Sequence, residues 1–427
     1  MSPVFTSPRR IAVVGAGVAG LTAAHLLQRV AQVTLYEADD RLGGHAHTHH
    51  VGTPDGVLPV DSGFIVHNER TYPLLSRLFA ELDVPSQPAE MSMSVRCDGC
   101  GLAYAGSRGP AGLLPRGDLR SRGRYLALLA QVPVFYRRAR RLLATPAAPG
   151  MPEPTLGEFL AAGRYSRFFV DHFVAPLVAA VWSCGPHLAA DYPARYLFAF
   201  LANHTMLQIR RSPDWRTVRG GSRTYVEAVA ARLGDVRTGA AVRAVERHAD
   251  GVTVRDGTDH VRDFEGVVIA THADQALRLL AQPTPREREL LGAFTYAHNE
   301  AVLHTDDSVL PDRGGVRAAW NYTQPACRSS GGGVRISYHM NRLQSLRTAT
   351  PLVVTLNDSD DIAPACVVGR MVYEHPIYTR SAVEAQRRLP ELNAGGVTFA
   401  GAYHGWGFHE DGCRSGAAAA AHWGVAW

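Results

Sequence analysis

Apolar residues follow two rhythms along this chain, and the alternation between them predicts its elements. Residues 10–14, four apolar residues after Arg10, read as a buried strand. A glycine-rich turn follows at 15–20, and the stretch to residue 29 then sets Leu21, Ala24, Leu27 and Val30 at helical spacing. Residues 33–37, Val33-Thr34-Leu35-Tyr36-Glu37, predict a second strand. Strand, turn, helix and strand in that order open a parallel α/β sheet. The rhythm returns downstream: residues 236–245 read as strand interrupted by Gly239, 264–271 as another buried strand, 397–402 as a strand running into a loop, and 412–422 as a helix of small residues. Between these blocks, Phe168, Phe169, Phe173, Leu177 and Trp182 predict an apolar helix.

The turn after the first strand carries chemistry. It reads Gly15-Ala16-Gly17-Val18-Ala19-Gly20, and an acidic residue, Glu37, closes the second strand 22 positions after Gly15. Gly15 permits the tight turn, Gly17 lets the backbone approach a pyrophosphate, and Gly20 lets helix and strand pack closely. The helix N-terminus, at Val18 and Ala19, offers free amides to phosphate. Glu37, with Ala38 after it, is placed to accept hydrogen bonds from an adenosine ribose. A GxGxxG alone is a weak signal in a chain with 41 glycines; its place between a strand and a helix gives it weight. No second glycine fingerprint follows a strand. One dinucleotide is therefore expected, with electrons arriving from an organic substrate rather than from a separate nicotinamide-binding domain.

Composition narrows the class. The 427 residues exceed one average core and predict two domains or one interleaved pair. With 46% hydrophobic and 19% charged residues the chain has globular composition. Its net charge of +5 is small, and the arginines are scattered apart from clusters such as Arg137, Arg138, Arg140 and Arg141, so nucleic acid is not expected as a partner. The first ten residues lack the apolar segment of a signal peptide, and apolar stretches break before the roughly 18 residues a membrane span needs, so a cytoplasmic enzyme is expected. All 44 basic residues are arginine, and no lysine is available for chemistry. Of the six cysteines only Cys97 and Cys100 are close in sequence. Cys97-Asp98-Gly99-Cys100 has the form of half a zinc site or of a redox pair, yet no second CxxC follows and Asp-Gly is a favoured hairpin turn. A plain hairpin is expected there, and no metal is assigned.

Glu37 leads into Asp39-Asp40-Arg41-Leu42-Gly43-Gly44-His45. Residues 37–44 resemble the ExxxRxGG segment of the superfamily of flavin amine oxidases, protoporphyrinogen oxidases and phytoene desaturases. The resemblance implies FAD as cofactor, with Arg41, Gly43 and Gly44 along its pyrophosphate and ribityl, and with His45 standing where amine oxidases often carry arginine. It also implies that Gly220-Gly221-Ser222-Arg223-Thr224-Tyr225 returns the chain to the FAD domain, that Val242 lies against the adenine, and that residues 397–402, with Gly401, together with the helix 412–422 form the closing flavin motif. More narrowly, residues 60–73, beginning Val60-Asp61-Ser62-Gly63-Phe64-Ile65, together with 217–222 and 401–416, are similar to a bacterial family of FAD-dependent oxidoreductases. Its members often sit beside cyclopropane-fatty-acid-synthase-like methyltransferases. The strand through Gly63, Phe64 and Ile65 is expected to pass beside the isoalloxazine. The expected fold class is α/β: a Rossmann-type FAD-binding domain, a parallel sheet with helices on both faces, built from residues 1–85, 215–275 and 395–427 and interleaved with an α+β substrate domain from 86–214 and 276–394.

The C-terminal motif Gly405-Trp406-Gly407-Phe408-His409-Glu410-Asp411-Gly412 leads into a helix expected to start near Gly412. Its positive end would face the flavin N1 and C2 carbonyl, where negative charge accumulates on reduction. Phe408, His409, Glu410 and Asp411 are thus candidate cofactor contacts, and the two acids also read as helix caps. His67, Glu69, Tyr72 and His409 are the candidates for moving a substrate proton, although residues 67–72 read equally as an ordinary helix start. His45, His47 and His49 alternate and would share one strand face, which flavin contact explains without a metal. The aromatic stretches Trp320-Asn321-Tyr322, Tyr373-Glu374-His375-Pro376 and 403–408 are candidate walls of a substrate tunnel. Amine oxidases of the superfamily typically hold a water near the flavin with a lysine, which this chain lacks; that moves weight from O2-dependent amine oxidation towards desaturation, saturation or isomerisation. The leading expectation is hydride transfer to FAD from a C–H of an apolar, lipid-like or acyl-like substrate. An amine or natural-product oxidase and a flavin-binding partner subunit of a methyltransferase stay as alternatives, and a partner methyltransferase and a peripheral membrane contact are candidate interactions.

Overall fold

The structure is a computed structural model that describes residues 9–106, 112–113, 119–146, 152–182, 190–208, 212–311, 315–328, 335–357 and 359–427. Residues 1–8, where a leader was sought, and Cys184 lie outside the described residues.

A five-stranded sheet runs in the order Val397–Phe399, Gly266–Ile269, Arg9–Val14, Ala31–Tyr36, Asp235–Arg237, every neighbour pair parallel. Its central strands are buried on both faces, which is why they read as unbroken apolar runs rather than alternating ones. One face carries the helices Val18–Leu27, Pro73–Glu81, Arg223–Ala230 and His409–His422. The other face meets a three-stranded antiparallel sheet, Val242–His248, Gly251–Asp256 and Val261–Phe264, which shares the cover with the helices Ala273–Leu279 and Pro285–Leu291. The stretch expected as one interrupted strand at 236–245 is therefore two strands in two sheets. Gly239, at φ +61°, turns the chain between them, and its amide donates to the Asp39 carbonyl.

A seven-stranded mixed sheet forms the second layer system, in the order Val367–Ile377, Thr295–His304, Val353–Leu356, Arg335–His339, Trp320–Gln324, Met93–Cys97, Leu102–Tyr104. Its strands pair antiparallel except Trp320–Gln324 with Met93–Cys97. The helices Leu119–Ala144, Leu156–Gly163, Ala175–Trp182 and Ala194–Asn203 share its hydrophobic core. Among the described residues, no helix is long and apolar enough to cross a membrane.

Asp61 joins the two sheet systems. Its carboxylate, almost wholly buried, accepts from Thr48 Oγ1 at 2.6 Å, from the Ser222 amide and hydroxyl at 2.9 and 2.8 Å, and from Gln344 Nε2 at 2.9 Å. Gln344 replies by accepting the Asp61 amide at 2.8 Å. One side chain thus ties the strand Gly56–Asp61, the turn at Gly220–Ser222 and the Gln344 segment that follows the seven-stranded sheet's strand Arg335–His339.

Candidate functional site

The three glycines of the first turn differ in what surrounds them. A Cβ on Gly15, at φ +98°, would sit 2.9 Å from the Ala270 carbonyl oxygen, and one on Gly20 only 1.8 Å from that of Gly15. The protein's own backbone demands both. A Cβ on Gly17 would meet nothing within 4 Å, so the open space in front of it belongs to whatever binds there. Gly17 caps the helix Val18–Leu27 without a side-chain acceptor, leaving the first amides unsatisfied as an anion site requires. A second helix, His409–His422, brings its N-terminal end beside the first, because Gly412 and Gly416 leave room for Val18 and Ala19: Cβ atoms there would fall 2.6 Å from Val18 Cγ1 and 2.2 Å from the Ala19 carbonyl oxygen.

The flanking residues complete a nucleotide trough. Glu37 accepts from the Ala16 amide at 2.8 Å and the Asp39 amide at 3.0 Å, so it shapes the glycine turn while keeping lone pairs for a ribose. Gly44 crosses Gly17 so closely that a Cβ would lie 3.3 Å from the Gly17 Cα. Beside them, Arg41 holds a buried guanidinium nitrogen, Nη1, with no hydrogen-bond partner in the protein. A half-buried cation whose buried Nη1 has no partner, set just behind the two glycine approaches, suits the edge of a diphosphate. These residues fit FAD.

The trough opens into a single cavity of about 1130 Å³. Gly15, Gly17, Val18, Ala19, Glu37, Ala38, Gly43, Gly44, His45, Gly63, Phe64, Ile65, Val242, Gly401, Phe408 and His409 all line it. Gly20 and Arg41 stand behind this lining. Glu410 and Asp411, expected as cofactor contacts, stand behind it too, because their carboxylates are spent on helix ends. Glu410 accepts from the Leu74 and Leu75 amides at 3.1 and 3.0 Å and so caps the helix Pro73–Glu81. Asp411 accepts from the Phe408 amide at 3.1 Å and is ion-paired with Arg414. That cap starts the C-terminal helix at His409, a turn before the expected Gly412.

Among the four candidate proton carriers, the structure separates two from the cavity. Glu69 is exposed to solvent, and His67 lies behind the lining with its ring edge-on to Phe79. Burial, helped by the nearby Arg216, pushes His67 down to about 4. The strand carrying Gly63–Ile65 does reach the cavity, but the chain turns away after Val66, and His67 pairs through its backbone with Arg216 instead. Tyr72 does line the cavity; burial raises its hydroxyl above the usual range, so it stays a proton donor. His409 stacks on Phe64 with ring centroids 3.8 Å apart, and its Nε2 lies 3.3 Å from the Tyr225 hydroxyl. Burial, with His67 adding to it, lowers His409 to about 3, which keeps the ring neutral.

The structure adds a polar cluster on the opposite wall. His272 Nδ1 lies 3.0 Å from Glu374, while the His45 ring meets those of Tyr373 and His375 at 5.1 and 5.5 Å. Tyr373 lines the cavity, and its hydroxyl is 2.6 Å from Ser62 Oγ and 3.1 Å from His47 Nδ1; Ser62 Oγ in turn is 2.8 Å from His49 Nε2. The alternating histidines thus diverge: His45 faces the cavity, while the His47 and His49 rings pack against each other, tilted by 34°, with centroids 4.0 Å apart. Tyr373 and His375 fall in a stretch singled out as a tunnel wall. His272 carried a signal that was not used, since it follows the carboxyl end of a parallel strand, where α/β sheets bind ligands.

A model of the flavin containing amine oxidoreductase family matches residues 18–362. Among curated proteins the chain is similar to AofH of Mycobacterium tuberculosis, named as a flavin-containing monoamine oxidase, with 32% identity over 256 residues, 57% of this chain and 53% of the relative. The chain thus spans about half the length of that relative. It is also similar to the coproporphyrinogen III oxidase of Mycobacterium leprae, 27% identical over 338 residues, 73% of this chain and 70% of the other. Solved structures share the fold: cyclohexylamine oxidase from Brevibacterium oxydans IH-35A, TM-score 0.69, 18% identity, 97% of this chain and 98% of that one, and a CLA-producing fatty acid isomerase from P. acnes, TM-score 0.67, 16% identity, 96% and 97%. With a family match running from the dinucleotide turn through most of the second sheet, the chain belongs to the flavin-containing amine oxidoreductase family, and its cofactor is FAD.

Proposed function

We propose that this protein withdraws hydride from a C–H bond of an apolar, acyl-like substrate, giving desaturation, oxidation or double-bond migration. The observation that carries the reading is the continuity of the cavity: the space that begins at Gly17 extends into a lobe walled by Leu128, Leu129, Val132, Phe173, Leu177 and Val181. Bound FAD supplies a two-electron acceptor. The apolar walls exclude water and hold a chain by burial, worth about 0.8 kcal/mol per methylene. Two carboxylates line the cavity among the described residues, and both are engaged: Glu37 by the Ala16 and Asp39 amides, Glu374 by His272 and His298. Glu37 stands at the ribose end of the trough and Glu374 is held between two histidines, so neither is placed as a dedicated partner for a substrate ammonium, and the absence of lysine weighs the same way. Tyr373, Ser62 and His49, with His47 beside Tyr373, form a hydrogen-bonded chain leading away from the cavity; burial lowers both imidazoles, so they would pass a proton onward rather than keep it.

The test is product analysis by mass spectrometry after incubating the FAD-loaded protein separately with unsaturated fatty acids and with small primary amines. The proposal expects an acyl product that has lost two hydrogens, or an isomer of equal mass with a displaced double bond. Conversion of the amines alone would overturn it.

A further inference from the structure

The hairpin at Cys97–Cys100 forms as its Asp-Gly turn predicts, between the strands Met93–Cys97 and Leu102–Tyr104. The fold then delivers two more ligand-type side chains to it from far along the chain. Cys97, Cys100, His172 and Cys327 place their sulfur and ring-nitrogen atoms within 4.8 Å of one another, the one such His/Cys/Asp/Glu grouping among the described residues. Cys97 Sγ lies 3.8 Å from Cys327 Sγ, and Cys100 Sγ lies 3.5 Å from His172 Nε2.

We propose that these four residues bind one zinc ion in a closed, structural Cys3His site. Zn–S bonds of about 2.3 Å and Zn–N bonds of about 2.05 Å at tetrahedral angles separate two sulfurs by about 3.8 Å, and a sulfur from a nitrogen by about 3.6 Å. The two observed distances match those edges. A disulfide would need the sulfurs at about 2.05 Å.

Further features of these segments fit a ligand set. His172 is fully buried and its Nδ1 lies 3.1 Å from the Phe168 carbonyl oxygen; donation there fixes the tautomer that leaves Nε2 for a metal. It sits in the π-helical turn Val170–Val174, a local defect of the kind that re-aims a functional side chain. Gly99 completes the approach, because a Cβ there would fall 2.9 Å from the Ala326 Cα, blocking the segment that brings in Cys327. Three thiolates and one imidazole, gathered within 4.8 Å of one another, are a donor set that selects zinc among common divalent ions.

The ion would staple the edge of the seven-stranded sheet to the helical segment carrying Phe173 and Leu177, two walls of the apolar lobe. It stands apart from the cofactor trough and holds the shape of the substrate space rather than taking part in the chemistry.

The test begins with metal content of the purified full-length protein by inductively coupled plasma mass spectrometry. The expected result is one zinc per chain. Growth on cobalt should then give thiolate-to-cobalt charge-transfer absorption and the intense visible bands of tetrahedral cobalt. His172→Ala and Cys327→Ser should each lose the bound zinc, while Cys366→Ser should keep it. If those two variants fail to fold, stoichiometry and the cobalt spectrum of the unsubstituted protein still decide. Protein purified without metal and unable to take up zinc or cobalt, a Cys97–Cys327 disulfide found by peptide mapping, or iron in place of zinc would each overturn the proposal.

Discussion

Gly17→Ala separates the protein's needs from the cofactor's. Gly17 has φ −70° and ψ 178°, a conformation open to alanine, and the added methyl meets nothing within 4 Å. The cost to folding is that of an alanine at a helix N-cap, below about 1 kcal/mol relative to glycine. The same methyl projects into the trough where the first amides of the helix Val18–Leu27 face the diphosphate. Pushing the phosphate off one or two charge-assisted hydrogen bonds, each worth about 1.5–3 kcal/mol, costs about 3 kcal/mol in all. That is roughly a 100-fold rise in the Kd for FAD. Thermal unfolding without cofactor and titration of FAD by fluorescence measure the two effects apart. Gly20→Ala is the counter-case: its methyl would lie 1.8 Å from the Gly15 carbonyl oxygen, so it should lower the stability of the cofactor-free protein outright. A Gly17→Ala protein that binds FAD as tightly as the parent would refute the reasoning, because the open space would then not be the diphosphate's.

Three other perturbations have definite outcomes. Asp61→Asn turns an all-acceptor hub facing Thr48, Ser222 and Gln344 into one that brings its own donor, and should lower the free energy of unfolding by about 2–3 kcal/mol in urea titration; a loss under about 0.5 kcal/mol would contradict the hub. Burial pushes His375 and His404 down to about 4 and His409 to about 3, so below the ordinary value of 6.5 the unfolded chain takes up more protons than the folded one. Their contribution is intact above that value and drains away as pH falls towards 4, by up to about 3 kcal/mol for each ring, and an unfolding midpoint unchanged between about pH 7 and about pH 5 would speak against it. Val132→Asn, at a half-buried position on the apolar lobe, should raise KM for an acyl substrate about tenfold while leaving FAD affinity alone; an unchanged KM would place the substrate elsewhere.

The cofactor half of the molecule was legible because its signals are local. Parallel strands buried on both faces leave continuous apolar runs, and Gly15 and Gly20 are fixed by contacts with neighbouring backbone that any dinucleotide turn repeats. The start of the last helix was not, since it depends on Asp411 bonding back to the Phe408 amide, and an acid before a glycine reads as readily as loop. His67 and Glu69 stood near the right strand in sequence, yet nothing local says that the chain leaves the cavity after Val66. Long-range pairing hid more. His45 meets Tyr373 and His375 only because the strand Val367–Ile377 crosses the trough. Cys97 finds its partners 75 and 230 residues away, at a separation no spacing rule covers.

Anaerobic titration of the FAD-loaded protein, followed by the absorbance of oxidised flavin, tests the central claim most directly. The account predicts that an unsaturated long-chain fatty acid or acyl lipid bleaches the flavin band, or is isomerised with the band restored, while small primary amines leave it unchanged. Bleaching by the amines with no response to any acyl compound would contradict it.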